Sequence, residues 1–156
     1  MDLGAAPGGW SQVAAEKIGR AGKVIAVDLL EIAPISGVTV VRGDFREPDV
    51  QARLATAIGG QKADVVLSDM SPNISGIASA DQARAAALVR MAIDFCRAYL
   101  RRDGAFFVKV FQGEEFAAVL REMKSVFREV KTLKPSASRD ESRETYLLAR
   151  VLKGIQ

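Results

Sequence analysis

Residues 1–12 read MDLGAAPGGWSQ: the end of a strand, a turn holding three glycines and a proline, and the start of an amphipathic helix. A strand that runs straight into a glycine-rich turn brings backbone close to a small ligand, and the helix start beyond it offers free N–H groups to an anion. The turn is not G-x-G-x-x-G and lacks the Lys-Ser/Thr pair of a phosphate loop, which disfavours a dinucleotide or a nucleoside triphosphate. A plain strand-to-helix turn accounts for the glycines but poorly for the whole A-A-P-G-G-W string.

Outward from this turn, apolar β-branched runs alternate with helical patterns. Residues 22–30, 37–45, 63–71, 104–111 and 144–152 read as strands, and residues 9–20, 48–60, 79–104 and 114–127 as helices. In the third helix Leu88, Met91, Phe95 and Tyr99 form one stripe, Arg84, Arg90, Arg97 and Arg101 occupy other faces, and Asp103-Gly104 supplies the stop. Such alternation predicts an α/β fold with a mostly parallel sheet and helices on both faces. Residues 127–152 break it, because two strand-like pieces follow each other across a polar loop, and a C-terminal antiparallel hairpin is expected there.

Composition narrows the chemistry. The 156 residues contain no histidine and one cysteine, Cys96, so an imidazole base, a His-containing zinc site and an internal disulfide are excluded within the chain. No metal site is expected. No apolar run approaches the ~20 residues that span a bilayer, and a cytoplasmic protein without membrane contact is expected. Charge is uneven: residues 1–50 hold 5 Lys/Arg against 7 Asp/Glu, and residues 81–156 hold 15 against 10. The basic second half suits a polyanion such as RNA, or else a set of solvated helix faces.

Ligands of open α/β sheets lie outside the carboxyl ends of the strands, so the residues there are the candidates. Gly4, Gly8 and Gly9 line the first turn. Asp28 ends the second strand, where a carboxylate can accept from both hydroxyls of a ribose, and Asp44 follows the third, where it can receive an adenine amino group. Each acid alone is equally a turn or capping residue. Their order describes an adenosine-bearing ligand laid across the strand ends. Asp69 ends the fourth strand, and Lys109 sits inside the apolar fifth, where a charged amine is costly without an acidic partner. Lys109 either snorkels to solvent or faces Asp69 across neighbouring strands, and Glu144 begins the last strand within reach of the same space.

Taken together, DLGAAPGGWSQ (2–12), DLL (28–30), GDF (43–45), LSDMSPNISG (67–76), FVKVFQGE (107–114) and SRETYLLA (142–149) resemble the FtsJ/RrmJ-type ribosomal RNA 2'-O-ribose methyltransferases. The likeness runs from residue 2 to about 153. It implies a Rossmann-like class I methyltransferase fold, S-adenosylmethionine as cofactor, and a ribose 2'-hydroxyl of RNA as acceptor, with a uridine of 23S ribosomal RNA in the large subunit as the bacterial form of that substrate. It implies further that Gly8, Trp10, Asp28, Asp44 and Asp69 hold the cofactor, and that Asp69, Lys109 and Glu144 meet three members of a Lys-Asp-Lys-Glu catalytic group. Lys109 is the implied base. If neutral it would take the hydroxyl proton, and if charged it would orient the oxygen; the sequence leaves both open.

The family's first catalytic lysine lies upstream of the glycine turn, whereas this chain has Met1 to Leu3 before it. The expectation is therefore one domain over residues 1–156, truncated at its N-terminus relative to the family, with apolar surface left uncovered and catalysis weakened. Alternatives are a noncatalytic or impaired remnant that binds RNA and S-adenosylmethionine, and 2'-O-methylation of transfer RNA. A monomer is expected, with Lys131, Lys134, Arg139 and Arg143 on RNA phosphates.

Overall fold

The computed structural model describes residues 1–134 and 143–154. Seven strands form one sheet: β1 (Asp2–Leu3), β2 (Val24–Asp28), β3 (Val38–Arg42), β4 (Ala63–Ser68), β5 (Leu100–Phe111), β6 (Phe127–Leu133) and β7 (Glu144–Leu152). Four helices join them: α1 (Gly9–Ile18), α2 (Pro48–Ile58), α3 (Ala78–Tyr99) and α4 (Phe116–Val126). The spatial order is β3-β2-β1-β4-β5-β7-β6. Strands β1 to β5 pair in parallel, and β7 runs antiparallel to both β5 and β6. The mostly parallel sheet and the terminal antiparallel pair follow the expectation. Its refinement is that β7, not β6, joins the rest of the sheet, leaving β6 at the edge.

The main core lies on the face covered by α2, α3 and α4, where Leu54, Ile93 and Met123 meet Val27, Val66 and Phe106. A smaller cluster on the opposite face joins Ala5, Ala26 and Ile32. Cys96 is buried in the main core, and burial pushes its thiol well above the ordinary range, as befits an inert packing residue. Among the described residues no helix is long and apolar enough to cross a membrane, and no cluster of His, Cys, Asp and Glu could hold a metal.

The end of α3 differs from expectation. The helix stops at Tyr99, and β5 begins at Leu100 instead of Gly104. Three residues of β4, Ala63 to Val65, stand opposite six of β5, Leu100 to Ala105, so Arg101–Gly104 bulge out of the ladder. Leu100 is buried, and Arg101 in the bulge pairs with Asp64 at 2.5 Å and Asp103 at 3.0 Å. The buried stripe of α3 is also turned from the one expected: Ala85, Val89, Ala92, Ile93 and Cys96 are buried with Phe95, while Leu88, Met91 and Tyr99 are half-buried. Arg90 uses its face to bridge Glu122 at 3.0 Å and Glu115 at 3.2 Å, tying α3 to α4.

Candidate active site

The carboxyl ends of β1, β2, β4 and β5 lie side by side. From β1 the chain enters the glycine turn, whose Gly4 and Ala5 N–H groups both donate to the Val27 carbonyl, at 2.9 and 3.2 Å. Gly4 has φ +69°, and a Cβ there would meet Met70 Cγ at 2.2 Å; Gly8 has φ +118°, and a Cβ would meet Ile35 Cδ1 at 2.4 Å. Both positions therefore need glycine for reasons internal to the fold. Gly9 carries no such demand, since a Cβ there meets nothing within 4 Å. Helix α1 begins at Gly9 without a side-chain cap.

Asp28 locks this turn in place. Its Oδ2 accepts from the Ala6 N–H at 2.9 Å and its Oδ1 from the Leu30 N–H at 2.8 Å. Each oxygen keeps a lone pair for a further donor. Asp44 is differently placed: Arg46 closes a turn on it through its backbone N–H at 2.9 Å and grips both oxygens with its guanidinium. That pairing holds the Asp44 carboxyl below the usual range.

Lys109, only 8% exposed, is the buried cation of the site. Its Nζ lies 2.8 Å from Asp69 Oδ1 and 4.0 Å from Glu144 Oε1, and it donates a 2.7 Å hydrogen bond to Ser71 Oγ. The three acid-base residues nominated by the sequence thus converge. Asp69 Oδ1 is a buried oxygen without an aligned hydrogen bond, so its contact with the amine is one of charge. Asp2 Oδ1 is likewise buried and unpartnered among the described residues, while Asp2 Oδ2 accepts from Ser11 Oγ at 2.6 Å.

Trp10 packs against β5 and β7. Its ring packs on Phe107 at 5.5 Å and on Tyr146 at 5.9 Å, and those two rings stack nearly parallel at 5.2 Å. Tyr146 sits opposite Lys109 in the β5–β7 ladder, and burial, then the charges of Asp69 and Glu144, push its hydroxyl above the ordinary range. It therefore stays a protonated donor at neutral pH. Trp10 also lines a groove of about 810 Å³ with Val13, Ile18, Val65, Leu67 and Phe107.

Sequence reasoning missed Asp2, Ser71, Phe107 and Tyr146. For the two strand residues the available signal was period two, since Phe107 precedes Lys109 by two and Tyr146 follows Glu144 by two; Ser71, in the loop after β4, carried no such signal. Lys131, Lys134 and Arg143 are exposed along β6 and before β7; Arg139 lies outside the described residues.

Residues 1–152 match the family model described as FtsJ-like methyltransferase. The chain belongs to the FtsJ-like methyltransferase family. It is 53% identical over 154 residues to ribosomal RNA large subunit methyltransferase E of Chromohalobacter salexigens, covering 99% of this chain and 73% of that one. A crystal structure named for a ribosomal RNA methyltransferase of Plasmodium falciparum superposes with a TM-score of 0.85 at 26% identity, over 99% of this chain and 86% of that one. Human methyltransferase-like protein 13 shares the fold alone, with a TM-score of 0.68 at 14% identity over 96% of this chain and 70% of that one. The Rossmann-like methyltransferase architecture of this FtsJ-like chain agrees with the sheet order described above.

Proposed function

We propose that the chain transfers a methyl group from S-adenosylmethionine to a ribose 2'-hydroxyl of RNA, with a uridine of 23S ribosomal RNA in the large subunit as the acceptor nucleoside. The observation that carries this reading is the Lys109 amine, buried at the strand ends between Asp69 and Glu144, in a chain of this family.

The residues suit the cofactor. S-adenosylmethionine presents hydrogen-bond donors in its ammonium, its ribose hydroxyls and its adenine amino group, and the crevice offers matching acceptors in the free lone pairs of Asp28 and in the carboxylate of Asp69, which Lys109 engages through charge. Gly4, Gly8 and Gly9 give the turn its close backbone approach. Asp44 serves adenine once the exposed Arg46 swings off it. Trp10 acts at one remove, as the ring against which Phe107 and Tyr146 are packed. When bound, the cofactor supplies a methyl already activated on a sulfonium, so the protein's work is alignment and exclusion of water.

Lys109 meets the acceptor hydroxyl. Neutral, it removes the proton; charged, it orients the oxygen and stabilises its developing negative charge. Asp69 supports the amine by charge, and Glu144 closes the second side. Lys131, Lys134 and Arg143 contribute phosphate contacts outside the crevice. The chain works as a single-domain monomer in the cytoplasm, where its ribosomal substrate would be met.

The test supplies tritiated S-adenosylmethionine with large ribosomal subunits or with transfer RNA and maps the labelled nucleotide. Label on a large-subunit uridine 2'-oxygen is expected, whereas label on transfer RNA alone would move the assignment. Lys109→Ala should cut transfer by about a hundredfold or more while calorimetry finds cofactor affinity unchanged. Full activity in that variant would remove Lys109 from the chemistry.

A further inference from the structure

Ser71 stands in the loop after β4, exposed, with its hydroxyl on the buried amine of Lys109. The nitrogen of a lysine rotates about Cε–Nζ, and only directed hydrogen bonds fix where its N–H bonds or its lone pair point. Asp69 Oδ1 is near at 2.8 Å but makes no aligned bond, Glu144 Oε1 at 4.0 Å is too distant for one, and the Phe111 ring, 5.6 Å away, attracts the cation without direction. The 2.7 Å bond to Ser71 Oγ is the directed contact of this amine among the described residues. A hydroxyl both donates and accepts, unlike the carboxylates, so Ser71 can hold the nitrogen whether it is charged or neutral.

The loop that presents Ser71 is itself restrained. Pro72 biases the Ser71 backbone toward an extended conformation. Farther along, Asp81 accepts from the Ser75 N–H at 2.9 Å, the Ser75 hydroxyl at 2.8 Å and the Gly76 N–H at 3.1 Å. A hydroxyl on a loop tied down in this way can serve as a fixed reference point.

We propose that Ser71 is a positioning residue for methyl transfer: by accepting the directed hydrogen bond of Lys109 it sets the rotation of the amine and aims it at the acceptor ribose hydroxyl. This rests on the reading of Lys109 as the group that meets that hydroxyl.

The experiment compares wild type, Ser71→Ala, Ser71→Thr and Lys109→Ala in methyl transfer to large ribosomal subunits, with kcat, both KM values and the melting temperature measured for each. Losing a hydrogen bond to a charged partner should lower kcat of Ser71→Ala about tenfold, with both KM values within about twofold of wild type. Its melting temperature should stay unchanged, and Ser71→Thr should recover most of the rate. A normal kcat in Ser71→Ala beside an inactive Lys109→Ala would overturn the role of Ser71 while leaving that of Lys109 intact. So would a defect confined to KM. An active Lys109→Ala would instead sink the reading of Lys109, and this inference with it.

Discussion

Phe106 and Phe107 are neighbours on β5 and point to opposite faces of the sheet. Phe106 is 0% exposed, packed against Phe127 at 6.0 Å under α3 and α4; Phe107 is half-buried and stacks on Trp10 and Tyr146. On β4 the same division recurs, with Val66 at 0% and Val65 at 43% exposed. By alternation and register, the face of Phe107 and Val65 also carries Asp2, Leu67, Lys109, Tyr146 and Glu144. One side of the sheet is thus a continuous apolar core, and the other holds the charged and aromatic groups from which chemistry is built. The division has a physical cause. A buried charge needs a partner or access to water, and the open side allows both without breaking the packing on which the fold depends.

Truncating the two residues of each pair in turn is the strongest way to break this comparison. Phe106→Ala should destabilise the protein by about 3–5 kcal/mol, because it leaves a cavity among residues that cannot collapse into it. Phe107→Ala should cost about 1–2 kcal/mol, the loss of ring contacts on a partly solvated surface. Val66→Ala should cost about 2 kcal/mol and Val65→Ala less than about 0.5 kcal/mol. Urea denaturation of the four variants measures the differences. Equal losses within either pair would mean that the two faces contribute alike.

How far the sequence foretold this arrangement depends on whether the signal was local. β7 spans residues 144–152 as read, and the parallel part of the sheet follows from strand-helix alternation. The insertion of β7 between β5 and β6 was not visible, because it is decided by which partner covers the alternating Thr145, Leu147 and Ala149, all buried. Arg101-Arg102-Asp103-Gly104 reads locally as the end of a helix, yet tertiary pairing draws Leu100 into the ladder and turns those residues into a bulge. Within the site, Lys109 announced itself as a cation in an apolar strand and Asp69 as an acid at a strand end. Ser71 and Tyr146 carried no such contrast, and their relevance appears only once loop and register bring them to Lys109. Asp44 shows the converse: its place after β3 suggested a ligand contact, and Arg46, two residues on, engages both its oxygens.

Asp2 gives the finest test of the two-face picture, because it is a carboxylate buried on the face that otherwise tolerates charge. Burial, against the hydrogen bond from Ser11, raises its carboxyl above the ordinary range, with Asp69 and Asp28 adding in the same direction. A raised value in the folded state means that the native chain holds this proton more tightly than the unfolded one. The stabilisation is fully present below the unfolded carboxylate value of about 3.9, and is lost as pH rises through the folded value. Asp2→Asn stays neutral at every pH and keeps an oxygen to accept from Ser11. The stability of the variant relative to wild type should therefore rise between pH 4 and pH 7, an effect smaller than the Phe106 loss and read from urea midpoints across that range. Any fixed offset from the new amide is independent of pH, so the slope alone reports the carboxyl. Parallel curves for the two proteins would mean that Asp2 is no harder to ionise in the fold than in the unfolded chain, and that the open face solvates charge even at its centre.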